Sequence, residues 1–593
     1  MKLKNLYILA ACAMLTAGCN EDDFLDLKPQ GSLSEDIMTS TEGAELLVNS
    51  AYAALGGPEG QTWSVWCHPT SNWTYGEVRA DNAYKGGGGV GDLNEVHRME
   101  IFDMDATNGF LDSKWYHLYC SVQRCNSALK VLNAATDDEV ANRVSRIAEM
   151  KVLRSHYYFE LSRLFNQIPY FDENVDIEEY ENIPNNQYSR NEILGMLASE
   201  MMDAANALPS TQPEVGRIHK YIALAYAAKI KLYQAYEQNE SNHAVTTVNQ
   251  TLLREVVSLC DQVTASNRYG LLDDFQGLDL VANENGKESV FAIQYSMNDG
   301  TQDAGRVNWS NLLNSPAGGS PYGGDGFFLP SQDLINAYQT DANGLPDFNY
   351  QSKPDYSWAV LENDGTYTLE NTTPNVDPRL DFVVGRPNIT WKTYTEKPCE
   401  GWVRDKPTYG YNCAKRFWVS PESSDMFNGW PWGASQLNWQ IIRYVDIMLW
   451  KAEALIELNE NLDVARDLIN QIRNRAKNSA YVKDFNESSK DAANYLINPY
   501  PAEGWNQEYA RKALRWETRL EKALEGERFF DLVRWGIAEE TMNNYLNAEQ
   551  DNRIYYAGST FTKGKDEYYP IPNNQYSFSG GKYVQNPGYA AFN

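Results

Sequence analysis

The sequence predicts a mainly α-helical protein. Four tetratricopeptide-like helix pairs form an α-α superhelix, and a loop-rich, irregular second half with short strands packs on it. The clearest of three observations is a helical hairpin at 441–476. Ile441, Val445, Met448, Ala452 and Leu455 share one helical face, and Ile442, Leu449 and Ile456 widen it. Asn459-Glu460-Asn461 interrupts the pattern with residues suited to a turn and an N-cap. Leu462, Ala465, Leu468, Ile469, Ile472 and Ala476 then restart it, giving two short helices over about 34 residues, the tetratricopeptide layout. Second, similar amphipathic segments recur through the first half. Third, 271–440 is rich in Gly, Pro, Asn and aromatic residues, too aromatic for disorder and too irregular for a helix stack.

In chain order, residues 1–18 read as a signal peptide. Lys2 and Lys4 form its basic start, and 6–17 is an apolar run too short to span a bilayer. Thr16-Ala17-Gly18-Cys19 resembles a lipobox, which makes Cys19 the expected lipidation site. Residues 19–33 form the anchor and leader, and the acidic Asn20-Glu21-Asp22-Asp23 resembles a surface-export signal. Helical stripes follow at 34–55, 113–134, 140–165, 191–208, 218–236 and 252–265, paired in that order. Between the first two runs a long aromatic, glycine-rich loop, about 60–108, of the length usually kept for function. Val290–Ser296 alternates as a strand would. Helices return at 441–476, 505–524 and 529–546, and 547–593 closes the chain with turns. The domain reading is thus a helical scaffold of 34–270 and 441–546, with 271–440 and 547–593 packed on it.

The chain has 593 residues and a formal charge of −29, and removing Lys2 and Lys4 with the leader leaves −31. That repels nucleic acid and anionic membrane surfaces at long range and favours neutral partners. Six His residues leave few candidates for metal or acid–base chemistry. Gly86–Gly91 fits G-x-G-x-x-G, but no hydrophobic strand leads into it. Asp103-Met104-Asp105 starts like a calcium loop, but Asn108 and Lys114 stand where its Gly and Glu belong. No cofactor is expected, and a structural calcium ion is not indicated. Glu517, Glu521, Glu525 and Glu527 alternate with Arg515, Arg519 and Lys522, which reads as a solvated ion-pair face rather than a hydrolytic carboxylate pair. Cys399 and Cys413 flank a loop and could pair in an oxidising compartment, and buried free thiols fit equally well.

The positive signal is aromatic residues on loops. Trp or Tyr stacks on the apolar face of a sugar ring while Asp, Asn and Arg bond its hydroxyl rim. The first loop supplies Trp73, Tyr75, Arg79, Asp81 and Asn82, and the second half supplies Trp309 and Tyr322. These seven are the expected ligand-binding residues, none of them catalytic.

Arg515-Trp516-Glu517 through Arg534-Trp535-Gly536, Tyr569-Pro570-Ile571-Pro572, Gln585-Asn586-Pro587-Gly588-Tyr589, Asn375–Leu380, Arg443-Tyr444-Val445-Asp446 and Ile147–Phe165 together resemble the SusD/RagB family of outer-membrane nutrient-binding lipoproteins. The resemblance implies a lipid-anchored protein on the cell exterior. It would capture oligosaccharide or polysaccharide for a SusC-like TonB-dependent transporter without catalysis. The segment 78–87, with 293–300 and Asn308-Trp309, is similar to a subgroup that includes fructan binders. A peptide-binding role of the RagB type is the alternative.

Overall fold

A computed structural model describes residues 40–57, 66–301, 304–356, 374–396, 398 and 400–592, with the backbone of two short strands at 359–361 and 367–369. The signal peptide, Cys19, the acidic leader and Cys399 lie outside the described residues.

The expected helix stack is present. Its members are α1 (Thr41–Ala53), α2 (Gly109–Ala134), α3 (Arg143–Phe165), α4 (Arg190–Ala207), α5 (Lys220–Ala235), α6 (Gln250–Ala265), α7 (Tyr444–Leu458) and α8 (Leu462–Asn478). α1 packs on α2, and from α2 each helix packs on the next through α8, so the pairs form one continuous array. Side chains at the starts explain several boundaries. Ser40 Oγ accepts from the Gly43 amide, Asn108 Oδ1 from Phe110, and Ser189 and Glu192 form a reciprocal capping box. Ala223, Ala225, Ala227 and Ala228 on α5 are all buried, which lets its neighbours approach closely. After α8 come α9 (Gln507–Glu521), α10 (Arg528–Arg534) and α11 (Ala538–Glu549).

Four readings of secondary structure change. First, Ile441 and Ile442 belong to a strand. β1 (Ala83–Gly86), β2 (Ser289–Ile293), β3 (Phe327–Pro330) and β4 (Trp439–Arg443) form two antiparallel pairs, β1 with β3 and β2 with β4. Trp439 lies opposite Ile293, so pairing with β2 holds the β-branched 441–442 extended and α7 starts at Tyr444. Second, Asn459 and Asn461 make the α7–α8 turn through left-handed backbone (φ 55° and 49°), and Asn461 accepts no capping bond. Third, 529–546 is two helices, broken at Gly536 with φ 70°. Fourth, the long first loop contains a π-helical turn at Trp73–Val78, β1 and a helix at Asn94–Glu100.

The carboxylates at the end of α9 and in the turn after it are interior, not a solvated face. Glu517, Glu521 and Glu525 are buried and join one ion-pair cluster. Its cations are Arg379, Lys392, Arg416, Arg443, Arg473, Arg475 and Lys522. Its carboxylates are Asp279, Glu288, Asp377, Asp446, Glu517, Glu521 and Glu525. The cluster therefore carries seven positive and seven negative groups. It ties loops of the second half to α7, α8 and α9, and charge balance is what lets so many ions leave water together. Helical spacing alone cannot tell such a cluster from a wet face.

Candidate functional site

Six of the seven sequence candidates are interior. Trp73 is 1% exposed and packs on Phe327 and Phe328, with ring centroids 6.4 and 5.7 Å away. Tyr75 donates its hydroxyl to the carbonyls of Phe110, at 3.0 Å, and Cys67. Arg79 lies 4.5–5.0 Å from the rings of Tyr569, Phe102 and Phe529 and donates to the Asp566 carbonyl at 2.7 Å. Asp81 takes both arms of Arg528 at 2.8 Å and faces Arg519 at 3.2 Å. Burial alone would raise its carboxyl, but those two guanidiniums outweigh it and hold it down to about 2. Asn82 donates to Glu77 at 2.8 Å and accepts from Arg519 at 3.0 Å. Tyr322 donates to the Val419 carbonyl at 2.7 Å and accepts from the Trp391 indole N–H at 2.9 Å, with Trp402 and Trp418 also around its ring.

The cause is close backbone contact. A Cβ on Gly76 would lie 1.9 Å from the Gly526 carbonyl oxygen, and one on Gly526 would lie 2.0 Å from that of Ser71. The first loop is thus wedged against the turn before α10. Glu77 seals the contact by accepting from the Gly526 and Glu527 amides at 2.8 and 3.2 Å. The Gly-rich run after β1 folds onto its own lysine, whose Nζ donates to the carbonyls of Gly86, Gly89 and Asp92. Asp105 is taken by Arg98 and Thr107. Among the described residues no group of three or more His, Cys, Asp or Glu side chains could hold a metal ion.

Trp309 is the candidate that reaches the surface. It is half-buried, its indole N–H donates to the Gly305 carbonyl at 3.1 Å, and it lines a cleft of about 600 Å³. Beside it stand two indoles that the sequence candidates omit. Residues 426–435 turn back on themselves, with Phe427 N–H bonded to the Ala434 carbonyl at 2.8 Å and Met426 bridged to Ser435. The turn is docked on the Trp309 segment, since Asn308 and Ser435 exchange bonds at 2.9 and 3.0 Å. Its tip presents Trp430 and Trp432, each 46% exposed, and the Trp430 ring meets Trp309 edge-on at 5.3 Å. The available signal was Asn428-Gly429-Trp430-Pro431-Trp432-Gly433, two Trp residues among turn-formers, where a core is seldom built.

Charges in the cleft are matched. Arg217 meets Glu45, Glu149 and Glu214, and Arg306 lies 3.6 Å from Asp299. Glu214 is the one carboxylate lining the cleft among the described residues. Tyr52 and Tyr295 add further rings to its wall.

The sequence model of the SusD family matches residues 287–589, just over half of the chain. The chain belongs to the SusD family. A second family model, described as starch-binding associating with outer membrane, matches residues 23–232 of this SusD-family chain. The SusD-like protein P2 of Formosa agariphila is 24% identical, over 99% of this chain and all of that one. Among solved structures, a SusD superfamily protein from Bacteroides vulgatus superposes with a TM-score of 0.67 at 21% identity, covering 93% of this chain and 99% of the other. The surface glycan-binding protein A of Bacteroides thetaiotaomicron, solved in complex with laminarihexaose, superposes with a TM-score of 0.61 at 18% identity, covering 92% and 99%. Among the described residues no helix is long and apolar enough to cross a membrane.

Proposed function

We propose that this SusD-family protein is a cell-surface glycan-binding lipoprotein of the outer membrane. It is anchored through Cys19 and passes captured oligosaccharide or polysaccharide to a SusC-like TonB-dependent transporter. One observation carries the reading: Trp430 and Trp432 stand half-exposed on a docked turn beside Trp309 and a cleft of about 600 Å³. A cluster of exposed indoles leaves contiguous apolar ring surface in water, and such a patch marks a surface that a partner covers. A glycan ring offers the apolar face that such an indole stacks on. The paired charges of the cleft suit a neutral ligand, in keeping with the chain's strong negative charge. Glycan binding in this fold is supported by the laminarihexaose complex of its structural neighbour. The ligand is held and not cleaved: glycoside hydrolysis ordinarily needs two carboxylates flanking the bond, and among the described residues the cleft is lined by one, Glu214. Trp73, Tyr75, Arg79, Asp81, Asn82 and Tyr322 are assigned to building the frame, and Trp309 keeps its place in the site.

Calorimetric titration against a panel of neutral polysaccharides and extended peptides tests the reading. Binding of a glycan that Trp430→Ala weakens supports it. Binding of peptide alone selects the RagB-type role, and silence across the panel ends both. Release of the Cys19→Ala protein from the membrane fraction is the expected outcome for the anchor.

A further inference from the structure

A second cleft adjoins the first. It encloses about 500 Å³ and shares Glu214–Arg217, Ala292 and Gln294 with the cleft beside Trp309. The shared residues form a saddle between the two, on which Val215 stands 72% exposed. At Gly216 it is close-packed: its φ is +85°, and a Cβ there would lie 2.5 Å from Gln294 Cγ. Across the saddle runs a row of carboxamides. Gln294 is exposed, it exchanges bonds of 2.9 and 3.1 Å with Asn285, and its Oε1 also accepts from Asn438 at 3.1 Å. Beyond the saddle the far cleft has its own aromatic wall. Tyr269 is half-buried, with its hydroxyl 3.2 Å from His219 Nε2. Its ring lies within about 20° of parallel to those of His219 and Tyr444, each 6.5 Å away by centroids. Arg268, next along the chain, is exposed and also lines the far cleft.

We infer that these two clefts are one groove with a second sugar subsite at Tyr269. The preferred ligand is then a long neutral chain held at two points, not a short oligosaccharide held at Trp309 alone. The inference rests on the glycan reading above. Its logic is chemical: aromatic rings at both ends supply stacking faces, and between them Asn285, which has amide capacity beyond its two bonds with Gln294, supplies a donor and an acceptor for hydroxyl groups. Each cleft alone has the volume of a small-ligand site. Two linked subsites raise affinity only for a chain long enough to occupy both at once.

The test is calorimetry on the full chain with laminari- and malto-oligosaccharide ladders, comparing di- and trisaccharides with hepta- and octasaccharides. Affinity should climb steeply once the chain reaches the second subsite. Tyr269→Ala should raise the Kd of long chains about 10-fold or more while leaving short ones unchanged. Arg268→Ala changes an exposed side chain, keeps the fold, and should show the same selectivity for long chains. Trp430→Ala should weaken short and long ligands alike. If length brings no gain, or both far-cleft variants bind long chains normally while Trp430→Ala still weakens them, the second subsite is wrong and the glycan reading stands. If neither ladder binds, the second subsite is wrong as stated, and the polysaccharide panel decides the glycan reading separately.

Discussion

Glu521→Gln tests the charge cluster that joins the two parts of the chain. Glu521 is fully buried and meets three guanidiniums: Arg475 at 2.5 Å, Arg379 at 3.1 Å and Arg443 at 3.3 Å. Burial would raise its carboxyl, but those arginines more than offset that and hold it below the ordinary carboxylate range. The substitution keeps the shape and removes one charge, leaving a balanced cluster with one positive charge uncompensated in the interior. Breaking a buried pair in this way costs about 3–5 kcal/mol, against about 0–1 kcal/mol for a surface pair. Urea unfolding read by both far-ultraviolet circular dichroism and tryptophan fluorescence gives the loss, with coincident transitions required before one free energy is assigned. Adding Arg475→Met to Glu521→Gln restores neutrality and should recover about 1 kcal/mol or more. The sign with pH is also set. A depressed carboxyl contributes stability above its unfolded pKa and loses it as pH falls through the folded one, so the deficit should narrow below about pH 4. A loss under about 1 kcal/mol at neutral pH, matching that of the exposed control Glu508→Gln, would refute the argument that the cluster is dry.

Three further outcomes are expected. Trp430→Ala and Trp432→Ala should each weaken glycan binding by about 10–100-fold, the range of a good aromatic anchor, with an unchanged melting temperature because both rings are half-exposed; calorimetry beside a thermal scan checks both parts. Trp73→Ala should cost about 3–5 kcal/mol of stability through the cavity it opens against Phe327 and Phe328, and any folded fraction should bind glycan normally. Glu549, accepting from Tyr84 at 2.7 Å, is pushed up to about 7 by burial. A raised acid pKa gives a contribution fully present below the unfolded value and lost as pH rises to about 7, so Glu549→Gln should flatten part of the fall in stability between about pH 4.5 and 7, read by urea midpoints at each pH.

Particular residues show where the sequence was legible. The helix faces of α1 to α8 repeat every three to four positions, a local signal, so the helix stack could be read directly. Ile441 fits the same period yet sits in β4, because pairing with β2 is a contact with residues about 150 positions away. The candidate site was legible only in small part, since of the seven expected residues Trp309 alone reaches the surface. Trp309 and the WPW turn carry their signal in turn-forming neighbours. Trp73 and Tyr75 carry the same loop composition, yet they lie inside because Gly76 and Gly526 let two distant backbones touch.

The sequence by itself determined the helical frame, the family motifs and the class of side chain available for a ligand, since these depend on local periodicity and composition. The tertiary structure alone decided which indoles meet water, which carboxylates are dry, and which residues line each cleft. Exposure is a property of what the rest of the chain covers, and no window of neighbouring residues contains that information.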